Sequence, residues 1–314
     1  METIELTTTR SNELIDPVMH VWGWEIAVYL FLGGLVAGLM VISGYFLFSG
    51  RYRNTSCACY ILPGLGVILL SLGMFALFLD LEHKLYFWRL YTTFQIRSPM
   101  SWGAWILLLV YPALLANFLL RIPPVLRPLM PGLADLSDRL VANANWVRWV
   151  GSMNMLFGGL LGVYTGILLS TLSARPIWNS AMLGPLFLTS GLSAAAALVH
   201  MIAPVREERE LMAKADNGFL VTELILLGLF LIGLATGTQI HIDAVGLFFG
   251  GPYTAFFWVF VVLLGIVLPL IIQLLAVSHK VHHTPIAPIL VLAGGVMLRF
   301  VIVFAGQFTR WSPV

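Results

Sequence analysis

The chain has 314 residues, of which 59% are hydrophobic and only 10% charged, with a formal net charge of +2 and a mean hydropathy of +0.92. Soluble domains carry about 25% charged residues, so this composition argues against a water-soluble enzyme and against a polyanion-binding protein, and describes a polytopic membrane protein. Two cysteines, Cys57 and Cys59, are too few and too close for a disulfide framework or a four-ligand metal cluster.

The first 21 residues form an acidic N-terminal segment. The apolar run that follows, about 27 residues, is far longer than the roughly 7 to 15 of a cleavable signal core and is expected to remain as a membrane helix. A bilayer core takes about 20 apolar residues per helix, and eight runs qualify: 22–48, 58–80, 100–120, 146–172, 179–203, 219–240, 253–277 and 286–308. The expected fold is therefore an all-α integral membrane protein of eight spans. An even number of spans puts both ends on one side. That side carries Arg10, Lys84, Arg89, Arg97, Arg175 and Arg310, while the opposite side carries ten Lys and Arg residues between Arg51 and Lys280. By the positive-inside rule both termini face outward, which in a bacterial inner membrane is the periplasm.

Glycines recur at close-packing intervals, Gly34 and Gly38 in the first run and Gly158, Gly162 and Gly166 in the fourth. The first and fifth runs echo one another, LFLGGLVAG against LFLTSGLSA. Two four-helix bundles are expected, 22–173 carrying the site and 174–314 the remaining spans.

A charged side chain at bilayer depth costs roughly 2.5 to 3.5 kcal/mol on insertion scales, so each calls for a partner or a function. Glu25, Asp80, Glu223 and Arg299 are the candidates. Glu25 lies about 5 Å inside its run, Tyr29 one turn below it on the same face, and Tyr164 at a comparable depth in the fourth run. Asp80 closes the second run, with His83 three residues on, and Gln307 nears the end of the eighth. Each has a plain structural reading: belt aromatics for the tyrosines, a helix cap for Asp80 and His83, headgroup contact for Glu25, a helix lock for Arg299. Together they describe a polar, aromatic-lined cleft near the outer surface.

A haem held between helices needs imidazoles within them, and His20, His83, His200, His241, His279, His282 and His283 all fall at run ends or in loops. Neither bound haem nor bound metal is expected, although His279, His282 and His283 cluster on one inner loop. No phosphate loop, nucleophile elbow or zinc motif is present. A quinone headgroup fits what remains: a flat ring with two carbonyls that needs hydrogen-bond donors, apolar walls, proton-carrying groups and an opening to lipid. Glu25, Tyr29, Asp80, His83 and Tyr164 are the residues assigned to it.

The stretches WGWEIAVYLFLGGLVAG, DLEHKLYFWRLY with SPMSWGAW, GVYTGILLSTLSARPIW and MLRFVIVFAGQ stand in the order found in a known family. From Trp22 to Gln307 the chain resembles the NrfD family of integral membrane subunits, which includes the membrane subunit of polysulfide reductase. The resemblance implies eight helices without haem, exchanging electrons between menaquinone or ubiquinone and a ferredoxin-like iron-sulfur subunit on the periplasmic face, which in turn serves a catalytic subunit. It places a quinone-contacting tyrosine on Tyr164. A histidine contact of the polysulfide reductase member falls on Tyr29, which keeps a donor and loses an imidazole; an asparagine contact falls on Ile26. The connection holding Lys84, Trp88, Arg89 and Arg97 is expected to dock the partner. Protons are expected to pass outward through Glu25 and Asp80, and a route from the inner side would use His200, Glu223 and Arg299. The rival from another class is a proton or ion transporter, whose site would lie at the midplane on broken helices.

Overall fold

A computed structural model describes residues 22–53, 60–172, 175–277 and 284–309. Among them, eight helices are long and apolar enough to cross a membrane: α1 Trp24–Phe48, α2 Leu62–Asp80, α3 Pro99–Leu120, α4 Ala144–Ser170, α5 Leu183–Ile202, α6 Arg206–Ala235, α7 Phe256–Val277 and α8 Ile286–Phe308. The N-terminal segment 1–21, Cys57, Cys59, His279, His282, His283 and Arg310 lie outside the described residues.

Local chemistry sets several helix starts. Pro63 and Pro99 occupy first-turn positions, where a missing N–H costs nothing and the fixed φ suits the helix. The Asn143 side chain caps α4 by accepting from the N–H groups of Asn145 and Trp146 at 3.1 and 3.4 Å. Helix α6 departs most from expectation, beginning at Arg206 and running 30 residues, about 45 Å. Its first turns are charged and project past a hydrocarbon core of about 30 Å, with Glu207 and Glu208 suited to the positive end of the helix dipole. The first part of α7, Phe256–Val267, is wound as a π-helix. The long connection between α3 and α4 contains a further helix, Pro131–Ala142, amphipathic and too charged to span; Leu133 and Leu136 are exposed, while Ser137 donates to the Leu120 carbonyl at 2.9 Å.

Helices α1 to α4 pack in sequence, with α4 returning to α1, and α5 to α8 do the same. The two groups meet where α1 contacts α5 and α8, and α4 contacts α5. Helix α1 is the axis of the molecule, with 78% of its apolar window buried against 33% for α2. Glycine permits that approach. A β-carbon on Gly38 would strike the Gly191 carbonyl on α5, and one on Gly44 the Gly151 carbonyl on α4.

A clamp joins the start of α1 to the end of α8. The Gln307 side chain accepts from the Trp22 N–H at 3.1 Å and donates to the Trp22 carbonyl at 3.0 Å. Trp22 stacks on Trp178 at 5.0 Å, and Trp178 donates to the Ile302 carbonyl at 2.8 Å. In the second group, fully buried Phe230, Phe248 and Phe257 fill the space beneath the connection that follows α6, the latter two rings 4.7 Å apart.

Candidate functional site

The corresponding region of the first group is hollow. A cavity of about 420 Å³ lies among α1 to α4, roofed by the connection between α2 and α3. Buried Tyr29 enters from α1 and buried Tyr164 from α4, while Tyr91 descends from the short helix Arg89–Thr92 and Tyr111 stands on α3. The phenols of Tyr164 and Tyr91 both lie within electrostatic reach of Tyr29. Met74, Phe75, Phe78 and Leu107 supply apolar walls. Gly103 makes room for the Tyr164 ring, because a β-carbon there would overlap it. Burial holds the Tyr91 phenol above its ordinary pKa, with Tyr111 adding in the same direction, so it is a hydrogen-bond donor at neutral pH.

Above the roof an open cleft of about 650 Å³ carries Asp80, His83, Arg89 and Gln95. Leu81, Phe87, Leu90 and Met100 line both spaces and separate them by one layer of side chains. Half-buried Asp80 and exposed His83 therefore stand one layer outward from the phenols. The described lining of the cavity does not include Glu25, which occupies the first turn of α1 and folds back against Gly23. There its charge meets the N-terminal end of the helix dipole, and it stays within electrostatic reach of Asp80.

The five residues expected to grip one ring thus divide into two buried phenols, an acid and imidazole in the cleft, and a rim carboxylate. Gln307, expected beside the cleft, spends its amide on Trp22 instead. Sequence reading missed Tyr91, Tyr111 and Ser71, each of which lines the cavity. The aromatic spacing Tyr86, Tyr91, Phe94 and the polar pair on facing runs were the available signals.

The connection over the cavity exposes Lys84, Trp88, Arg89 and Arg97. The Arg89 guanidinium lies over the Tyr86 ring at 4.7 Å and the Trp88 ring at 5.7 Å, and Leu85 is 87% exposed. Aromatic residues and arginine around an apolar tip are the composition of a protein-binding surface.

A second polar group lies deep in the other bundle. Fully buried Arg299 donates to the Ser190 hydroxyl, to the Phe187 carbonyl at 2.9 Å and to the Gly295 carbonyl at 3.2 Å, and its guanidinium lies 4.7 Å from the centre of the Phe187 ring. Buried Glu223 reaches the same Ser190 hydroxyl and interacts with Arg299. Two turns toward the N-terminal end of α6, fully buried Asp216 accepts from Ser193 and from the Gln273 amide, both at 2.6 Å. Asp216 was not singled out from the sequence because the expected run began at 219. The pattern Asp216, Leu220, Glu223, Leu227 repeats at helical spacing and is buried throughout. His200 is buried in the last turn of α5. Among the described residues no three His, Cys, Asp or Glu side chains gather as metal ligands.

A family model described as polysulphide reductase, NrfD, matches residues 10–310. The chain is 30% identical over 312 residues to protein NrfD of Escherichia coli, covering 92% of this chain and 96% of that protein. It is 28% identical to the NrfD homolog of Haemophilus influenzae, covering 92% and 95%. To a polysulfide reductase subunit of Wolinella succinogenes it is also 28% identical, covering 91% and 94%.

Proposed function

Because this chain belongs to the NrfD polysulphide reductase family, whose members are membrane subunits of redox complexes, we propose that it exchanges electrons between a membrane quinone and an iron-sulfur partner on the periplasmic face. Through that partner it serves a catalytic subunit. The reading places both termini in the periplasm and the chain in a bacterial inner membrane, following the distribution of Lys and Arg. Its main support is the cavity, where two buried phenols from different helices face one apolar-walled space.

Menaquinone or ubiquinone is the exchangeable substrate. Tyr164 and Tyr29 hydrogen-bond its ring oxygens, and Tyr91 closes the site from the roof. Oxidation of the quinol releases two electrons and two protons. The electrons leave to the partner seated on Lys84, Trp88, Arg89 and Arg97, and the protons cross the thin roof to His83 and Asp80, with Glu25 at the rim. Quinone reduction reverses these steps. Arg299, Glu223, Asp216 and His200 form a separate series toward the inner surface that suits proton movement in the second bundle.

The test is Tyr29→Phe and Tyr164→Phe in the assembled complex. Each is expected to lower kcat/KM for quinol about tenfold, equivalent to about 1.4 kcal/mol for one hydrogen bond. Wild-type turnover in both variants would overturn the assignment.

A further inference from the structure

Ser71 on α2 and Tyr111 on α3 form a polar pair where the bilayer offers nothing polar. At 1.5 Å per residue, Ser71 lies about 13 Å below the outer end of α2 and Tyr111 about 18 Å below that of α3, well beneath the interfacial belt where tyrosines collect. The pair sits on the exposed surface of the molecule. The Ser71 hydroxyl donates to the Val67 carbonyl at 2.8 Å, so at 3.2 Å its oxygen accepts from the Tyr111 phenol. One hydrogen bond therefore joins α2 to α3 at mid-depth.

Both residues also line the cavity that holds Tyr29 and Tyr164. The cavity consequently reaches the lipid-facing surface at this pair, beside Phe75, which is 59% exposed. The helices flanking the opening are held weakly. Helix α2 packs far more extensively on α1 than on α3. Pro112 follows Tyr111 inside α3, and its missing N–H leaves the carbonyl one turn earlier, at exposed Leu108, without its helical partner.

We propose that the seam between α2 and α3 is a lateral portal for the polyprenyl tail of the substrate, and that the Ser71 to Tyr111 hydrogen bond is its latch. This rests on the quinone reading above. With the ring against Tyr29 and Tyr164, the tail runs past Met74, Phe75 and Leu107 and leaves into lipid by displacing the Tyr111 hydroxyl. The latch satisfies the Tyr111 hydroxyl, which would be costly if left alone against acyl chains, while Ser71 keeps its own bond to Val67, and a single neutral hydrogen bond is weak enough to open and close thermally.

Two measurements on the assembled complex test the portal. Ser71→Trp fills the opening, and is expected to raise the ratio of KM for a polyprenyl quinol to KM for a decyl analogue at least tenfold over wild type. A ratio within twofold of wild type would overturn the portal. Independently, a quinone carrying a photoreactive group on its first isoprene unit, bound to the unaltered complex, is expected to label residues 67–75 and 104–111. Quinol-competed label confined to other spans would overturn the portal and leave the headgroup site standing, whereas no competed label, with wild-type turnover in Tyr164→Phe, would overturn both.

Discussion

Gly103 on α3 lies directly against the Tyr164 phenol on α4, closely enough that one methyl group would occupy the space of the ring. The smallest residue type therefore sets the position of one of the cavity's four phenols. Gly103→Ala is expected to displace the phenol and reduce quinol turnover about tenfold or more. In the Gly103→Ala, Tyr164→Phe double variant the two losses should fall well short of additive, because both act through one ring. Steady-state turnover of the four proteins in the cycle measures this.

Arg299 is fully buried and shares the Ser190 hydroxyl with Glu223. Arg299→Met leaves a buried carboxylate without its cation and is expected to destabilise the chain by about 3 to 5 kcal/mol. Adding Glu223→Gln removes that charge, so the double variant should recover part of the loss. Thermal denaturation of the purified complex in detergent would show Arg299→Met lower in Tm than the double variant; equal Tm values would mean the two groups are not coupled.

The clamp between Gln307 and Trp22 consists of two hydrogen bonds at 3.1 and 3.0 Å. At about 0.5 to 1.5 kcal/mol net for each bond, Gln307→Leu should loosen the start of α1. Faster amide hydrogen exchange in the first turn of α1, with protection unchanged at the centre of the helix, is the expected pattern.

On the connection between α2 and α3, Trp88 and Arg89 stack beside highly exposed Leu85. Trp88→Ala and Arg89→Glu are each expected to weaken attachment of the proposed iron-sulfur partner by about 2 kcal/mol, roughly thirtyfold. Binding of that subunit to immobilised membrane subunit reads this directly. Quinol exchange by the separated chain should change less than attachment does.

The spans were legible because apolar length is a one-dimensional signal, and α1, α3 and α8 begin or end within two residues of where hydropathy puts them. Helix α6 was shortened in the sequence reading because Arg206 to Lys214 carries enough charge to hide helical periodicity, and Asp216 was lost with it. Within the site, depth could be computed from residue number, which identified Tyr29 and Tyr164. Side-chain conformation could not: Glu25 and Tyr29 share a face by spacing, yet Glu25 folds back to the rim and Tyr29 lines the cavity. The aromatic spacing around Tyr91 and the polar residues Tyr111 and Ser71 are weak local signals, and their significance arises only when α2, α3 and the connection above them converge.

The amphipathic helix Pro131–Ala142 gives the first bundle a float. With Leu133 and Leu136 exposed it presents an apolar face suited to the boundary between acyl chains and headgroups, and the hydroxyl of Ser137 moors it to the last residue of α3. A thinner or thicker bilayer changes the level at which such a float rests relative to the helix it is moored to, and tilt is the usual accommodation. Because α3 also carries Gly103, a tilt set by acyl-chain length is expected to carry over to the seating of Tyr164.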